Sequence, residues 1–281
     1  MQIVEKICEM KNIIAGQKKL GKIIGFVPTM GFLHEGHISL VRESVKQNNF
    51  TVMSIFVNPT QFGVNEDYAK YPRDLDKDAL AAWENGVDVI FAPSVEEMYP
   101  EGYKTYVNVE DMTGIMCGVC RPTHFKGVVT VVNKLFNVVR PDNAYFGQKD
   151  AQQFIVLKKM VRDLNMNLNV ISCPIVREKD GLAKSSRNIF LNEEERAEAV
   201  VLSESLFDSK ELIEKGEKSK EKVIKGIRDR IRTAKHAEIE YIEIVDAETL
   251  DEVETINKNV LIALAVKFGK TRLIDNVIAE V

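Results

Sequence analysis

The sequence of 281 residues predicts an α/β protein in which a doubly wound parallel sheet is followed by a smaller α+β domain. Two observations lead to this fold class. Through about residue 175, short apolar strand patterns alternate with amphipathic helix patterns. Beyond it, helical patterns come first and strand patterns follow. Because βαβ alternation implies parallel strands with helices on both faces of the sheet, we predict domains at 1–175 and 176–281.

Within the first domain, hydrophobic periodicity predicts strands separated by helices. The strands are expected at 22–27, 51–57, 87–92, 143–146 and 168–172. The helices are expected at 37–47, 74–85, 125–139 and 150–164. The first strand is expected to stop at Pro28. Because ligands of such sheets bind outside the carboxyl ends of the strands, the loops that follow these strands are expected to form one site.

The second domain follows a polar, turn-rich connector at 173–188. Two helices rich in Lys and Glu are expected at 192–215 and 219–234, and we interpret their charges as solvated faces. Strands are expected at 240–246, 260–266 and 271–278. Helices followed by strands, without alternation, indicate a small α+β domain.

Composition limits the class of protein. Hydrophobic residues make up 45% and charged residues 28% of the chain, which is typical of a globular protein. The net charge of −4 argues against a general nucleic-acid or membrane-surface binder, because either would need a basic excess. No apolar run approaches the ~18–20 residues that span a bilayer, and the N-terminus has no signal-peptide core. We therefore expect a cytoplasmic protein with no nucleic-acid and no membrane partner.

Cys117 and Cys120 have the spacing of half a zinc site or of a redox pair. No second pair accompanies them, and the other two cysteines stand alone in the sequence. In a cytosolic chain the favoured interpretation is four reduced thiols, because disulfides are rare there. A redox or metal role is the alternative.

The turn after the first strand carries two histidines, His34 and His37, with Gly36 between them. A helix N-terminus has unpaired backbone N–H groups, so the turn is a candidate anion site. Gly36 would let the backbone approach a phosphate, and the two imidazoles could donate hydrogen bonds to it. The alternative is that one histidine caps the helix while the other packs.

Three further loops carry polar groups. Lys149 follows a strand and is expected near a phosphate, whereas Asp150 would be either a helix cap or a partner for a ribose or Mg²⁺. The segment 184–187, Lys-Ser-Ser-Arg, suits a loop that closes on a polyphosphate, or else is a solvated loop. The amides of Asn58 and Gln61 suit a small polar substrate rather than a metal.

Five motifs in one order make the chain resemble a known family. They are P-T-M-G-F-L-H-E-G-H at 28–37, F-V-N-P-T-Q-F at 56–62, R-P-T-H-F at 121–125, F-G-Q-K-D-A-Q-Q at 146–153 and G-L-A-K-S-S-R-N at 181–188. Together they resemble the pantothenate synthetase (pantoate–β-alanine ligase) family, within the HxGH nucleotidylyltransferase superfamily. The resemblance implies a Rossmann-like ATP- and pantoate-binding domain and a C-terminal α+β lid domain.

The resemblance also implies an activity. Pantoate would attack the α-phosphorus of ATP, giving pantoyl adenylate and pyrophosphate, and β-alanine would then displace AMP to give pantothenate. ATP is thus a substrate, with Mg²⁺ bound to it rather than at a dedicated protein site. A homodimer is expected. Two interpretations stay open beside this one: a nucleotidylyltransferase acting on a phosphorylated substrate, and a non-catalytic nucleotide-binding module.

Site residues follow by position in the motifs. Those implied to be catalytic are His34, His37 and Lys149. Those implied to bind ATP are Met30, Gly31, Phe32, Leu33, His34, Glu35, Gly36, His37, Gly147, Gln148, Lys149, Asp150, Val176, Lys184, Ser185, Ser186 and Arg187. Pantoate would be bound by Gln61 and Gln153, and β-alanine by Gln61. Lys184 stands where some members have Met, which would add a cation beside the phosphates.

Overall fold

The computed structural model describes residues 1–63, 66 and 68–281. The chain divides into two compact units. The first comprises Met1–Gly147 and Val156–Pro174, and the second comprises Gln148–Ile155 and Ile175–Val281. The predicted domains, 1–175 and 176–281, differ from these units in the placement of 148–155, and they stay a prediction.

The first unit contains a six-stranded sheet in which every pairing is parallel. Its strands are β1 (Gln2–Val4), β2 (Ile24–Thr29), β3 (Phe50–Ile55), β4 (Val89–Phe91), β5 (Asn143–Gly147) and β6 (Asn169–Cys173). Their order is β1-β4-β3-β2-β5-β6. The order of the strands reverses between β2 and β5, which is where ligands of doubly wound sheets bind. The predicted α/β fold class is confirmed.

Helices connect the successive strands of this sheet. They are α1 (Ile7–Lys19), α2 (Glu35–Gln47), α3 (Leu75–Glu84), α4 (Val95–Met98), α5 (Cys117–Cys120), α6 (His124–Val139) and most of α7 (Ala151–Asp163). Residues such as Val41, Met53 and Tyr145 form a buried cluster between the sheet and its helices. Neither β1 nor α1 was predicted, and β1, with three residues, is too short for periodicity to be visible.

Strand β2 runs through Pro28 to Thr29, so the prediction that it stops at Pro28 is wrong. Pro28 pairs in register with Ser54 of β3. On the other side of β2, the pairing with β5 ends at Phe26. The missing N–H of Pro28 therefore removes no hydrogen bond from the ladder between β2 and β5, and the proline is tolerated within a central strand.

The second unit is built on an antiparallel sheet of three strands in the order β7-β8-β9. These strands are β7 (Ala237–Asp246), β8 (Val260–Phe268) and β9 (Thr271–Ala279), and the helices are α8 (Glu193–Glu198), α9 (Val201–Glu214) and α10 (Lys220–Ile231). The single helix predicted at 192–215 is thus two helices. Ala199 and Val200 keep helical dihedral angles at the break, so the apolar pattern continues through it.

No helix in the described part of the chain is both long and apolar enough to span a bilayer.

Candidate functional site

The residues that the sequence analysis selected fall in both units. The first unit holds Met30–His37 between β2 and α2, Gln61 after β3, and Gly147 at the end of β5. The second unit holds Gln148, Lys149, Asp150, Gln153, Val176, Lys184, Ser185, Ser186 and Arg187.

The turn after β2 is held by a carboxylate from a helix later in the chain. Asp78, in α3, accepts the backbone N–H groups of Phe32 and Leu33, each at 2.7 Å. Asp78 is 3% exposed. Burial raises the pKa of its carboxyl above the ordinary value, and the two hydrogen bonds only partly offset this effect. Gly31 and Phe32 have φ values of 83° and 52°, which lie in the left-handed region. Asp78 therefore stabilises an unusual backbone conformation.

The backbone N–H groups of this turn are not the outward-pointing anion donors that the sequence analysis expected. Besides the two that Asp78 binds, the N–H of Gly31 donates to Thr29 Oγ1 at 3.2 Å. The N–H of Gly36 donates to His34 Nδ1 at 3.1 Å. Acceptors within the protein thus occupy these groups, so they are not available to an anion bound here.

The two imidazoles form a reciprocal cap on α2. His34 is the N-cap residue, and its backbone N–H donates to His37 Nδ1 at 3.3 Å. Because both Nδ1 atoms accept backbone N–H groups, the hydrogen bonds assign the proton of each neutral ring to Nε2. The ring centroids are 4.1 Å apart. A Cβ atom on Gly36 would lie 2.8 Å from His34 Cε1, so the glycine makes room for this ring. His34 both caps the helix and carries an Nε2–H donor.

Gln61 is oriented by a network of buried amides. Asn58 Oδ1 accepts hydrogen bonds from the N–H of Thr60 at 3.4 Å and from the Tyr99 hydroxyl at 2.8 Å. The amide nitrogen of Asn58 therefore faces Gln61 and donates to its Oε1 at 3.0 Å. The Nε2 of Gln61 in turn donates to Met30 Sδ at 3.2 Å. The structure thus brings together one residue predicted to bind ATP and one predicted to bind pantoate, and Gln61 presents a donor at that point.

Two side chains to which the sequence analysis gave no role hold the backbone of Gln61. Arg121 Nη1 donates to His124 Nε2 at 3.2 Å, so the ring proton of His124 is on Nδ1 and donates to the Gln61 carbonyl at 2.9 Å. Arg121 also binds Glu66 through Nε, at 2.8 Å, and through Nη2. Burial alone would raise the pKa of Glu66, but the Arg121 guanidinium holds it below its ordinary value. Both residues lie in the motif at 121–125, which was the signal available in the sequence.

A cavity of ≈ 260 Å³ opens beside Met30 and Gly31. Residues at the carboxyl ends of β2, β3 and β4 line it, and Arg73, Asp74 and Asp78 give it charged groups of both signs. The turn between β2 and α2 that carries His34 and His37, called the histidine turn below, therefore begins beside a space with polar walls.

Gly127 allows α6 to approach the loop of Gln61 closely. A Cβ atom at this position would lie 2.4 Å from Thr60 O and 2.6 Å from Gln61 Cα. We expect Gly127→Ala to destabilise the protein by about 1–3 kcal/mol, because backbone atoms must move. The measurement is urea unfolding, with Gly16→Ala in α1 as the matched control, since a Cβ there meets no atom within 4 Å. A destabilisation no larger than that of Gly16→Ala would contradict this interpretation of the contact.

In the second unit, Gln148–Asp150 form a 3₁₀ turn just before α7. Asn276, in β9, donates its side-chain amide to the backbone oxygens of Gln148 and Lys149, at 2.9 and 3.0 Å. Lys149 and Gln153 are partly buried, whereas Asp150 is exposed. The backbone that carries Lys149 is therefore fixed to the small sheet.

Val176 and Lys184 lie opposite each other on a short hairpin. The N–H of Lys184 donates to Val176 O at 2.9 Å, and Gly181 turns the chain with a φ of 98°. Lys184 Nζ lies 3.3 Å from Glu178 Oε2, so a carboxylate of the same hairpin partly compensates the charge of this cation. Beyond the hairpin, Ser185 Oγ accepts the N–H of Arg187 at 3.3 Å.

The cysteines differ in environment. Cys173 is buried, and burial raises the pKa of its thiol to about 11. Cys8 and Cys120 are exposed. Within residues 1–63, 66 and 68–281, no group of three or more His, Cys, Asp or Glu side chains could hold a metal ion. The redox state of Cys117 and Cys120 stays a prediction.

The sequence is similar to proteins of known family over its whole length. A family model described as pantoate–β-alanine ligase matches residues 2–278. A pantothenate synthetase of Acetivibrio thermocellus is 63% identical over 281 residues, which is 100% of both chains.

Solved structures have the same fold. The crystal structure of a pantothenate synthetase from Thermus thermophilus superimposes with a TM-score of 0.93 at 43% identity, covering 99% of each chain. Pantoate–β-alanine ligase from Francisella tularensis, crystallised with β-γ ATP and β-alanine, gives a TM-score of 0.80 at 35% identity. That comparison covers 99% of this chain and 97% of the other. The similarity therefore includes both units.

Proposed function

Because the chain belongs to the pantoate–β-alanine ligase family, we propose that it condenses pantoate with β-alanine in two ATP-dependent steps. In the first step a carboxylate oxygen of pantoate bonds to the α-phosphorus of ATP, and pyrophosphate leaves. In the second, the amine of β-alanine bonds to the activated carbonyl, loses a proton and releases AMP. The products are pantothenate, AMP and pyrophosphate.

The observation that carries the proposal is the pair of imidazole donors at the start of α2. Negative charge grows on the oxygens around the α-phosphorus as the first step proceeds. Donors already held in place stabilise that charge without reorganising. His34 and His37 have their rings fixed by backbone N–H groups at Nδ1, which leaves the ring protons on Nε2. Both imidazoles are proposed to act on the α-phosphate.

The cations of the second unit are proposed to bind the rest of the triphosphate. Lys149, Lys184 and Arg187 would neutralise the β- and γ-phosphates. Val176, which has no charge, would contact the nucleotide through apolar or backbone atoms. The fixed backbone of Lys149 and the hairpin that carries Lys184 support these roles, because a preorganised cation loses less entropy on binding.

Amides rather than cations are proposed to bind the acid substrate. Gln61 has its Nε2 directed by Asn58 toward Met30, so it offers a neutral donor suited to a carboxylate or hydroxyl. Gln153 would bind pantoate as well, and Gln61 would also lie near β-alanine. A nucleotidylyltransferase that acts on a phosphorylated substrate would need cations at Gln61 and Gln153, so these amides favour the ligase.

Mg²⁺ is proposed to enter with ATP. An ion that enters with ATP would be held largely by phosphate oxygens and water. Asp150 is the exposed carboxylate proposed to contact it. When bound, the ion would neutralise charge on the phosphates.

Two further proposals follow from the family, a homodimer and a cytoplasmic location. Light scattering of the purified protein would measure the mass in solution.

The experiment that tests the two-step reaction is isotope exchange between pyrophosphate and ATP. Exchange is expected to require both pantoate and Mg²⁺ but not β-alanine, because the first step alone reverses. Exchange that proceeds without pantoate would overturn the proposal. Added β-alanine should consume the adenylate and lower the exchange rate.

A further inference from the structure

Two neighbouring residues of the last strand, Asp275 and Asn276, each bind a different one of the segments proposed to hold ATP. They lie within β9, in register with Leu264 and Ala263 of β8. The residues are 2% and 3% exposed. Polar groups buried to this extent are normally committed to specific partners.

Asn276 binds the segment of Lys149. One amide nitrogen donates both of its hydrogens, to Gln148 O at 2.9 Å and to Lys149 O at 3.0 Å. Gln148 Nε2 returns a bond to Asn276 Oδ1 at 3.4 Å. An amide nitrogen is suited to this position because it carries two donor hydrogens and no charge. An ionised carboxylate has no donor hydrogen and would repel the two carbonyl oxygens.

Asp275 binds the hairpin of Val176 and Lys184. Its carboxylate forms two parallel hydrogen bonds with Arg177, at 2.6 and 3.0 Å. Arg177 Nη1 also donates to Gly181 O at 3.1 Å, so one guanidinium connects the hairpin tip to β9. The side chains of Asp275 and Arg177 are only 1% and 16% exposed. A planar, bidentate pair of this kind fixes orientation as well as distance.

We infer that Asp275 and Asn276 are positioning residues that set the two ATP-binding segments of the second unit relative to each other. This inference rests on the proposed function. Asp275 Oδ1 also accepts the N–H of Asn276 at 2.8 Å, so the two side chains are oriented from one point of the backbone. Displacing either segment would move Lys149 or Lys184 away from the phosphates, although neither Asp275 nor Asn276 is proposed to contact the nucleotide itself.

The test is the dissociation constant for ATP with Mg²⁺, measured by calorimetry. Asn276→Asp is nearly isosteric and is expected to raise it about tenfold, because a turn released from β9 no longer holds Lys149 in place for the phosphates, and one hydrogen bond between charged groups contributes about a factor of ten or more. Val277→Ala is the matched control. Val277 is the next residue of β9, on the opposite face of the strand, and packs in the core of the second unit, so truncating its side chain lowers stability. An unchanged dissociation constant for Asn276→Asp would overturn the inference.

A double-mutant cycle covers the case in which Asn276→Asp does not fold. If Asn276 acts through Lys149, then Asn276→Ala should weaken ATP binding in the parent protein but add nothing in a Lys149→Ala background. Additive effects would overturn the inference. Failure of the parent protein to bind ATP would contradict the proposed function, and the inference with it. ATP binding without pantoate-dependent exchange would contradict only the proposed reaction.

Discussion

His37→Ala is expected to lower pantoate-dependent exchange between pyrophosphate and ATP by about 10²–10³-fold, the effect typical of losing one preorganised donor to a developing oxyanion. ATP should still bind, because several other groups are proposed to contact it. The loss should therefore fall on the exchange rate at saturating ATP rather than on the dissociation constant for ATP. Initial exchange rates together with calorimetry separate the two quantities.

A second histidine provides the control for this result. His236 lies in the second unit, where its Nδ1 is 3.1 Å from Glu198 Oε1, and His236→Ala should leave the exchange rate unchanged. His37→Gln distinguishes two roles, because glutamine offers a neutral N–H donor but cannot transfer a proton at neutral pH. Partial recovery would indicate hydrogen bonding, and no recovery would indicate proton transfer. An exchange rate for His37→Ala equal to that of the parent would remove His37 from catalysis.

Strands β2 to β6 of the first unit were predictable because they read as apolar runs with turn signals on either side. The predicted strand at 143–146, for example, is observed as Asn143–Gly147. The histidine turn was equally visible, since His34, Gly36 and His37 are neighbours in sequence. Hydrophobic periodicity detects local structure well, and both the strands and this turn are determined by residues close to one another in the chain.

The groups that fix the site geometry come from far along the chain. Asp78 binds Leu33 across 45 residues of sequence, and Asn276 binds Gln148 across 128. In the sequence, Asp78 looks like an ordinary acidic residue in the first turn of a helix. Asn276 looks like one polar residue within a strand. Their roles depend on tertiary contacts, for which the sequence alone has no local signal. The N–H groups of Phe32 and Leu33 were therefore expected to be available to an anion, whereas Asp78 accepts both of them.

Asp78→Asn is expected to lower the exchange rate by about 10–100-fold, because small displacements of catalytic groups have effects of that size. The asparagine oxygen can accept one of the two N–H groups of Phe32 and Leu33, but the other would meet the amide nitrogen, donor against donor. The turn should then relax from its left-handed conformation and carry His34 with it. Affinity for β-alanine in the second step should change less.

A change in the stability of the fold should not explain the lower exchange rate of Asp78→Asn. Burial raises the pKa of Asp78 above its ordinary value of 3.8, so the folded protein holds the proton more tightly than the unfolded chain. The stability that this group contributes is therefore present below pH 3.8 and is lost as the pH rises through the folded pKa. At pH 7 the charge on the buried carboxylate offsets part of what its two hydrogen bonds contribute to stability, and a neutral asparagine removes that charge together with one of those bonds. The melting temperature of Asp78→Asn should thus stay within about 2–4 °C of the parent, a change of about 1 kcal/mol.

Asp142→Asn is the matched control, since Asp142 also uses both carboxylate oxygens within the first unit. Its Oδ2 accepts the N–H of Ile24 at 2.7 Å, and its Oδ1 accepts Lys18 Nζ at 3.2 Å. Ile24 begins β2, whereas the histidine turn follows the end of that strand. We expect Asp142→Asn to lower the melting temperature and to keep the exchange rate, which is the reverse of Asp78→Asn. If the two variants lose activity equally, the Asp78 carboxylate acts only as a structural acceptor, and the imidazoles do not depend on it for their position.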